Sequence, residues 1–262
     1  MVSNSTIIGD KIGKMKKEKG ENVMTKDANQ ENAIRSFLMI GQSNMAGRGE
    51  FADVEEIRNP SCFMLRTGLW IEMREPVNPD HPVFNNEWHS GVSLASAFAN
   101  EMAKDLGEKV GLIPCAHGGT SIDQWMPGEI LYDHAVAMAK LAMRSSVLSG
   151  ILWHQGEQDC GSEESIRAHK EKFITMITAL RKDLGAENIP LIIGELSQNE
   201  VVCRLNEQAQ MNAQYHEIAK ILPCCSVVSS KGLTMKADKV HFDVVSLGEF
   251  GKRYYQAFKS LL

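Results

Sequence analysis

The sequence predicts an α/β protein, a three-layer α/β/α sandwich in which a parallel sheet of roughly five strands lies between two layers of helices. Two observations predict this class. Short apolar runs alternate along the chain with longer segments of helical spacing, and polar motifs follow the apolar runs at or near their ends. With 262 residues the chain is long enough to bury one such core without a second domain.

Five apolar runs, most of them bounded by glycine, proline or polar clusters, are the predicted strands. They are residues 36–40, 110–115, 150–154, 191–195 and 226–229. The predicted helices cover residues 92–106, 135–143, 166–184, 205–222 and 247–262. In the first of these, Leu94, Phe98 and Met102 recur on one stripe, as expected of a helix that packs on a sheet.

Two segments do not follow this alternation. Residues 1–32 contain many Lys, Glu, Asn and Gly and few large apolar side chains, so we expect a flexible leader before a catalytic domain at 33–262. Residues 48–90 contain four prolines and a possible hairpin through 62–73. A segment of this length forms either one wall of a binding cleft or a surface insertion without a role.

Composition excludes several functional classes. The net charge of −5 gives no basic surface for nucleic acid, and no apolar stretch has the length of about 18 residues that a membrane span needs. The basic residues at 11–19 are not followed by the apolar block of a secretion signal. Because the six cysteines show no framework spacing, we expect free thiols in the cytoplasm. The sequence does not indicate an oligomeric state.

Four motifs are predicted to carry the chemistry. They are the sequences GQSNMAG (41–47), AHGG (116–119), WHQGE (153–157) and DKVH (238–241). The first three follow or end predicted strands, and the fourth lies between the last strand and the last helix. Because the carboxyl ends of parallel strands share one edge of a sheet, we expect all four motifs to meet there.

The motifs supply the parts of serine acyl transfer. Ser43 is the candidate nucleophile, and it requires a base because a free hydroxyl is barely ionised at neutral pH. His241 is the candidate base. Asp238, three residues upstream, can accept a hydrogen bond from the imidazole and stabilise its protonated form.

An oxyanion formed on the substrate carbonyl needs donors that are already in place. The predicted donors are the backbone N–H of Ser43, a backbone N–H of the glycine turn, with Gly118 preferred, and the Gln155 carboxamide. Predicted substrate contacts come from three further residues, which are Gly119, Trp125 and Glu157.

Two of these contacts have alternative interpretations. Trp125 stacks on a sugar or braces its loop. Glu157 orients the Gln155 amide, serves as a second carboxylate for His241, or caps the following helix.

A metal site is the weaker interpretation of the same region. His117, His154, Glu157 and His241 could supply ligands, but the spacing of a regular zinc motif is missing, and the serine and glycine motifs would then have no purpose. The sequence therefore predicts neither a metal nor another cofactor.

The longer blocks GQSNMAGRG, PCAHGGTSIDQW, LWHQGEQD and DKVHF resemble the SGNH hydrolase superfamily. The resemblance covers about residues 35–260 and is most specific to carbohydrate esterase family 6 and its sialate O-acetylesterase-like relatives, including a plant branch. It implies a flavodoxin-like sheet of about five parallel strands, no metal, and hydrolysis of acetyl esters on sugars.

Carried over by position, the resemblance makes Ser43, Asp238 and His241 the catalytic triad and places Gly118 and Gln155 in the oxyanion hole. Gln155 stands where most of the superfamily has asparagine, a difference shared with family 6. Two residues after the serine, Met45 replaces the glycine that the nucleophile elbow of α/β-hydrolases requires, which argues against that fold.

The predicted function is that of a serine esterase that removes acetyl groups from a carbohydrate, of the acetylxylan or sialate type, through an acyl-enzyme intermediate. An acetylated carbohydrate is then the expected partner. The alternatives are an esterase or thioesterase for other short acyl groups, and a carbohydrate-binding protein without catalysis.

Overall fold

A computed structural model describes residues 33–79 and 90–262. Its seven strands are β1 (Ile34–Gly41), β2 (Cys62–Arg66), β3 (Leu69–Glu72), β4 (Val110–Pro114), β5 (Ser146–His154), β6 (Leu191–Gly194) and β7 (Cys225–Val228). They form one sheet in the order β3-β2-β4-β1-β5-β6-β7, in which only β3 is antiparallel to its neighbour. The predicted leader, residues 1–32, lies outside the described residues.

The predicted α/β class is confirmed, but the strand count is larger than predicted. The five predicted strands correspond to β1, β4, β5, β6 and β7. The other two are the hairpin expected within residues 62–73, which extends the sheet instead of standing apart from it. Strand β2 buries three of its five residues, and it pairs in parallel with β4 from Cys62 opposite Val110 onward.

Six helices accompany the strands in the described ranges. They are α1 (Ser43–Ala46), α2 (Leu94–Leu106), α3 (Ile130–Ala142), α4 (Glu163–Asp183), α5 (Leu205–Ile221) and α6 (Val244–Lys259). The short helix α1 was not predicted, and α3 begins several residues earlier than predicted. None of the helices in the described ranges combines the length and the apolar character that a bilayer crossing requires.

The core has two halves, one on each face of the sheet. On one face, Phe37 of β1 packs edge-on against Phe98 of α2 and Phe258 of α6, with ring centroids 4.9 and 5.1 Å apart. On the other face, Trp153 of β5 packs against Phe173 of α4 at 5.1 Å. Side chains alternate between the two faces of a strand, so the central strands supply both halves.

The sheet register brings the ends of the central strands together. Gly41, the last residue of β1, lies opposite His154, the last residue of β5. A Cβ atom on Gly41 would lie 2.1 Å from the His154 carbonyl oxygen, and its φ is +128°. Only glycine fits this position. The chain then turns into α1, and the Gln42 N–H donates to the His154 carbonyl at 2.8 Å.

The N-terminus of α6 is capped by the side chain of Asp243. The Asp243 carboxylate accepts a hydrogen bond from the Ser246 N–H at 2.8 Å. Burial alone raises the pKa of Asp243, but hydrogen bonds from Thr234 and Ser246 outweigh it, so the pKa is lowered. A lowered pKa means that the carboxylate stabilises the fold above the ordinary aspartate pKa of about 3.9, and that this contribution is lost as the pH falls through the folded value.

We therefore expect Asp243→Ala to lower the free energy of unfolding by about 1 kcal/mol at pH 7, measured by urea denaturation. The difference from the wild type should shrink below about pH 4. Asp53→Ala, at an exposed aspartate, is the control and should change stability by less than about 0.5 kcal/mol. An equal loss for Asp243→Ala at acidic and neutral pH would show that the charge is not involved.

Candidate active site

Three side chains that are distant in sequence form a hydrogen-bonded series at the carboxyl edge of the sheet. Ser43 is the first residue of α1, and its Oγ lies 3.0 Å from Nε2 of His241, which is 198 positions away in the chain. His241 Nδ1 lies 2.8 Å from Oδ2 of Asp238. Ser43 is only 2% exposed, whereas His241 is half-buried. The structure thus brings the predicted nucleophile, base and orienting acid together.

The segment that carries Asp238 and His241 is held by its own side chain. Asp238 Oδ1 accepts hydrogen bonds from the backbone N–H groups of Val240 and His241, both at 2.9 Å, while Oδ2 binds the imidazole. Burial raises the pKa of Asp238, but the bonds from His241 and Val240 outweigh it and lower the pKa. Asp238 is therefore an ionised carboxylate at neutral pH.

Asn44, a residue that the sequence analysis did not single out, joins the serine turn to the histidine segment. Its Oδ1 accepts a hydrogen bond from the Phe242 N–H at 3.1 Å. Its Nδ2 donates to the Val240 carbonyl at 3.3 Å and to Glu157 Oε1 at 2.6 Å. Because Asn44 follows Ser43 directly, these bonds position the nucleophile relative to the base. The signal available in the sequence was the position of Asn44 directly after the candidate nucleophile, in the GQSN motif.

Glu157 lies beside this junction, but it does not orient Gln155 as predicted. Its Oε1 binds Asn44 and lies 3.2 Å from His154 Nε2, whereas Oε2 is buried and has no hydrogen-bond partner among the described residues. It neither contacts His241 nor caps α4, whose N-cap side chain is Ser162. Burial raises the pKa of Glu157, but His154 and Asn44 outweigh it and lower the pKa. Glu157 is therefore a carboxylate at neutral pH.

Gln155 does not lie where its predicted role requires. Its side chain is fully buried, and Nε2 donates to the Thr120 carbonyl at 2.8 Å and to Asp159 Oδ2 at 2.7 Å. An amide has two N–H donors, and both are engaged inside the protein. In this arrangement Gln155 holds the loop that contains Thr120 and has no donor left for an oxyanion.

Asp159, which the sequence analysis missed, explains the position of Gln155. Besides the amide, its carboxylate accepts a hydrogen bond from the Ile122 N–H at 3.0 Å and lies 3.2 Å from Nδ1 of the buried His169. Tyr215 closes the network through bonds to His169 and to the Gln155 carbonyl. The buried carboxylate of Asp159 thus binds the Gln155 amide, which is then not available to a substrate. It also connects the loop after the glycine turn to the end of β5.

Trp125 also belongs to this support and not to the binding surface. Its side chain is 1% exposed, its Nε1 donates to Thr120 Oγ1 at 3.0 Å, and its ring packs on Trp153 with centroids 5.8 Å apart. A ring buried on this scale has no free face for a sugar. The contacts match the interpretation in which Trp125 braces its loop, and they leave no room for the other interpretation, stacking on a sugar.

A pocket of about 380 Å³ opens beside the serine, within the size range of small-molecule sites. Ser43, His241, Gly119 and Glu157 line it together with seven further residues, which are Gln42, Gln158, Cys203, Arg204, Gln208, Lys239 and Val240. The predicted donor Gly118 is not among them, whereas the adjacent Gly119 is exposed there with a φ of +73°.

Gln42 presents a donor to this pocket that the sequence analysis did not consider. Its carboxamide oxygen faces the backbone N–H groups of Gly156 and Gln158 at 3.5 and 3.4 Å. Its amino group has no hydrogen-bond partner in the described parts of the chain, although the residue is only 4% exposed. The end of the amide that can donate is therefore available to a ligand.

The proline-containing excursion supports the site from outside. Asn78 is buried and makes two bonds with Ala116, from Nδ2 to the carbonyl at 2.9 Å and from the Ala116 N–H to Oδ1 at 3.0 Å. None of residues 48–79 lines the pocket. The described part of the excursion thus fixes the chain just before the glycine turn and does not form a wall of the pocket beside Ser43. Within the described ranges, no three His, Cys, Asp or Glu side chains cluster so that they could hold a metal ion.

Comparisons with known proteins agree with this architecture. A family model described as carbohydrate esterase, sialic acid-specific acetylesterase matches residues 33–260. A probable carbohydrate esterase of Arabidopsis thaliana is 28% identical over 240 residues, covering 86% of this chain and 90% of the relative. The X-ray structure of the protein from that Arabidopsis locus has a TM-score of 0.77 at 26% identity, covering 87% of this chain and 98% of its own.

Two more distant structures share the fold. NanS has a TM-score of 0.71 at 16% identity, covering 88% of this chain and 98% of its own. A carbohydrate acetylesterase from Xanthomonas citri has a TM-score of 0.61 at 17% identity, covering 87% of this chain and 56% of its own.

Proposed function

Because the chain belongs to the family of carbohydrate esterases described as sialic acid-specific acetylesterases, and is thus a carboxylic ester hydrolase, we propose that it removes O-acetyl groups from a sugar through an acyl-enzyme at Ser43. The observation that carries the proposal is the series from Ser43 Oγ through His241 to Asp238, with distances of 3.0 and 2.8 Å. This is the arrangement that activates a hydroxyl for attack on a carbonyl.

The reaction has two halves. Ser43 Oγ attacks the acetyl carbonyl carbon while its proton passes to His241 Nε2, and Asp238 stabilises the imidazolium. The tetrahedral intermediate collapses, and the sugar oxygen leaves with the proton from His241. Water then attacks the acetyl-serine, gives a proton to His241 and releases acetic acid as Ser43 regains its hydrogen.

Three donors would stabilise the oxyanion in our proposal: the backbone N–H groups of Ser43 and Gly119 and the side-chain amino group of Gln42. Gln42 takes the role predicted for Gln155, because its amino group lacks a partner whereas both hydrogens of Gln155 are engaged. Gly119 is preferred over Gly118 because it lines the pocket.

Replacement of Gln42 by leucine should lower kcat by about 10²-fold to 10³-fold, the usual cost of removing one oxyanion donor. KM should change little, because the donor acts mainly in the transition state. The melting temperature should stay near that of the wild type, since the two bonds to the Gln42 oxygen are long. Steady-state kinetics with p-nitrophenyl acetate measure the effect, and a variant with normal kcat would exclude Gln42 from the oxyanion hole.

Acetate release tests the proposed activity. The wild type should release acetate from acetylated sugars. A comparison of the rates with acetylated xylo-oligosaccharides and with O-acetyl sialic acid would distinguish an acetylxylan-type from a sialate-type substrate. Cleavage of longer p-nitrophenyl esters in preference to acetyl esters, without acetate release from any sugar, would favour the short-chain acyl esterase. Calorimetric binding of an unmodified sugar without turnover of any ester would favour the non-catalytic binding protein.

A further inference from the structure

We propose that a second cavity of this protein binds a small organic cation with an apolar body, such as an alkylammonium ion. The cavity has a volume of about 270 Å³ and lies where residues 51–57 meet the start of α2 (residues 92–97) and of α6 (Val244 and Gly248). We call it the α2/α6 cavity. It shares no lining residue with the pocket beside Ser43, so the inference goes beyond the proposed esterase activity and does not depend on it.

Half of the residues that line the α2/α6 cavity are apolar. They are Phe51, Val54, Ile57, Val92, Ala97 and Val244. Phe51 is 54% exposed and Val54 is 41% exposed, so both present apolar surface to the solvent beside the cavity. The volume is slightly below the range of drug-sized ligand sites. The cavity therefore suits a short alkyl chain.

Gly248 keeps the cavity open. It lies inside α6, where a glycine destabilises the helix relative to alanine. A Cβ atom on Gly248 would meet no heavy atom within 4 Å, so the packing of the described residues does not require glycine there. Gly251, one turn later, is different, because its Cβ would lie 2.1 Å from the Leu94 carbonyl oxygen. Since Gly248 lines the cavity, a larger side chain at this position would reduce the space for a ligand.

The charged groups of the cavity are all acidic. Glu55, Glu56 and Glu75 line it, and no described Lys, Arg or His does. Glu56 pairs with Arg58, which lies outside the lining, whereas neither Glu55 nor Glu75 forms a salt bridge with a described residue. Carboxylates beside an apolar surface, without a cation among the lining residues, attract a positively charged ligand.

Glu75 connects the cavity to the start of α2. Its Oε1 accepts hydrogen bonds from the Ser93 N–H at 3.0 Å and from Ser93 Oγ at 3.1 Å, and its Oε2 accepts one from the Val77 N–H at 2.9 Å. Burial raises the pKa of Glu75, and the hydrogen bonds, the first of them from Ser96, do not offset it. The ionised carboxylate is therefore not fully compensated, and an ammonium ion would supply the missing positive charge.

The helix ends do not reverse this preference. The amino ends of α2 and α6 carry partial positive charge, which would favour an anion. Glu75 already accepts the bond from the Ser93 N–H at the start of α2, and Asp243 caps α6 through the Ser246 N–H at 2.8 Å. Both helix ends thus have an anionic partner from the protein, and Glu55 adds further negative charge.

One ligand chemistry uses the apolar and the acidic residues together. An alkanoate would place a negative charge among three carboxylates. An alkanol would cover the apolar walls and leave the carboxylates uncompensated. An alkylammonium ion covers the walls with its chain, and its N–H groups donate to carboxylate oxygens in charge-assisted hydrogen bonds.

Hexylammonium, hexanol and hexanoate test the inference, because they share one alkyl chain and differ in charge. In an NMR titration of the wild type, hexylammonium should shift the methyl signals of Val54, Ile57, Val92 and Val244, with a Kd of about 1 mM or below. Hexanol should bind about tenfold more weakly, and hexanoate should leave these signals unchanged. The Kd for hexylammonium should rise with the salt concentration, because the carboxylates are partly exposed.

Two variants with matched controls locate the site. Gly248→Leu should abolish the shifts by filling the cavity, whereas Lys252→Leu, at an exposed position of the same helix outside the lining, should bind as the wild type does. Glu55→Gln should raise the Kd for hexylammonium about threefold. Glu187→Gln, at an exposed glutamate that does not line the cavity, should leave this Kd unchanged.

Several outcomes would overturn the inference. They are similar affinities for the three ligands, no shift at about 10 mM hexylammonium, shifts confined to methyl groups outside the cavity, and binding that persists in a folded Gly248→Leu variant. The comparison of the three ligands uses the wild type, so the test does not depend on the folding of any variant. Ser43→Ala should bind hexylammonium as the wild type does, and failure of the proposed esterase activity would leave these shifts unchanged.

Discussion

Replacement of Ser43 by alanine is expected to lower kcat/KM for acetyl esters by about 10⁴-fold or more. In the proposed mechanism the Ser43 hydroxyl is the group that bonds to the acetyl carbon. Its Oγ lies 3.0 Å from Nε2 of His241, the proposed base. In this mechanism, the activity that remains after the substitution comes from polarisation of the ester by the proposed oxyanion donors. Initial rates with p-nitrophenyl acetate and with an acetylated sugar measure the loss.

A double variant adds a second criterion to this prediction. In the proposed mechanism Ser43 and His241 act as a unit, so the double variant Ser43→Ala/His241→Ala should be no slower than Ser43→Ala by itself. Ser260→Ala, in an exposed serine near the end of α6, is the matched control and should keep the wild-type rate. Retention of more than about a tenth of the activity in Ser43→Ala would remove the serine from the mechanism.

Asp238→Asn is expected to produce the next largest effect, a loss in kcat of about 10³-fold to 10⁴-fold. Two backbone N–H bonds to Oδ1, from Val240 and His241, would keep the amide oxygen of the asparagine in place. The amide nitrogen then faces His241 Nδ1, which must accept a bond from it. The proton moves to Nε2, and the imidazole cannot take the proton of Ser43.

Because Asp238 is partly exposed, the loss of kcat in Asp238→Asn should not exceed this range. Its side chain is 41% exposed, so water screens the charge more than in a fully buried triad. Asp53→Asn, at an exposed aspartate that does not line the pocket, serves as the control and should keep the wild-type kcat. If Asp238→Asn stays within about threefold of the wild type, another group orients the histidine.

The placement of the four motifs could be predicted from the sequence because it depends on topology. Parallel strands end at one edge, so a serine after β1 and a histidine before α6 can meet although 198 positions separate them. Likewise, the Asp238 to His241 spacing is local, and a turn of this length brings the carboxylate to the imidazole. These inferences need no knowledge of packing.

The predictions that the structure does not match concern side chains that have more than one possible hydrogen-bond partner. Gln155 was predicted to face the substrate, but Asp159 and the Thr120 carbonyl take both of its hydrogens. Trp125 is buried against Trp153 for a similar reason, since its N–H finds a partner within its own loop. Such choices depend on distances of about 3 Å between residues that are far apart in sequence, and no periodicity encodes them.

The strand count was underestimated for a different reason. The segment of β2 and β3 lies among prolines and glycine, and short strands there give a weak alternation signal. Its inclusion in the sheet depends on the pairing of Cys62 with Val110, which is a contact between distant segments. Strands β4 and β6, by contrast, are buried at every residue, and their sequences contain no polar side chain.

A covalent intermediate on Ser43 is the central claim, and acid-quenched mass spectrometry tests it most directly. The wild type mixed with excess p-nitrophenyl acetate and quenched within the first turnovers should gain the mass of one acetyl group, located on the peptide that contains Ser43. The Ser43→Ala variant should gain none. Ester hydrolysis by a wild type that never carries an acetyl group on this peptide, or acetylation at another residue with Ser43 unmodified, would contradict the account.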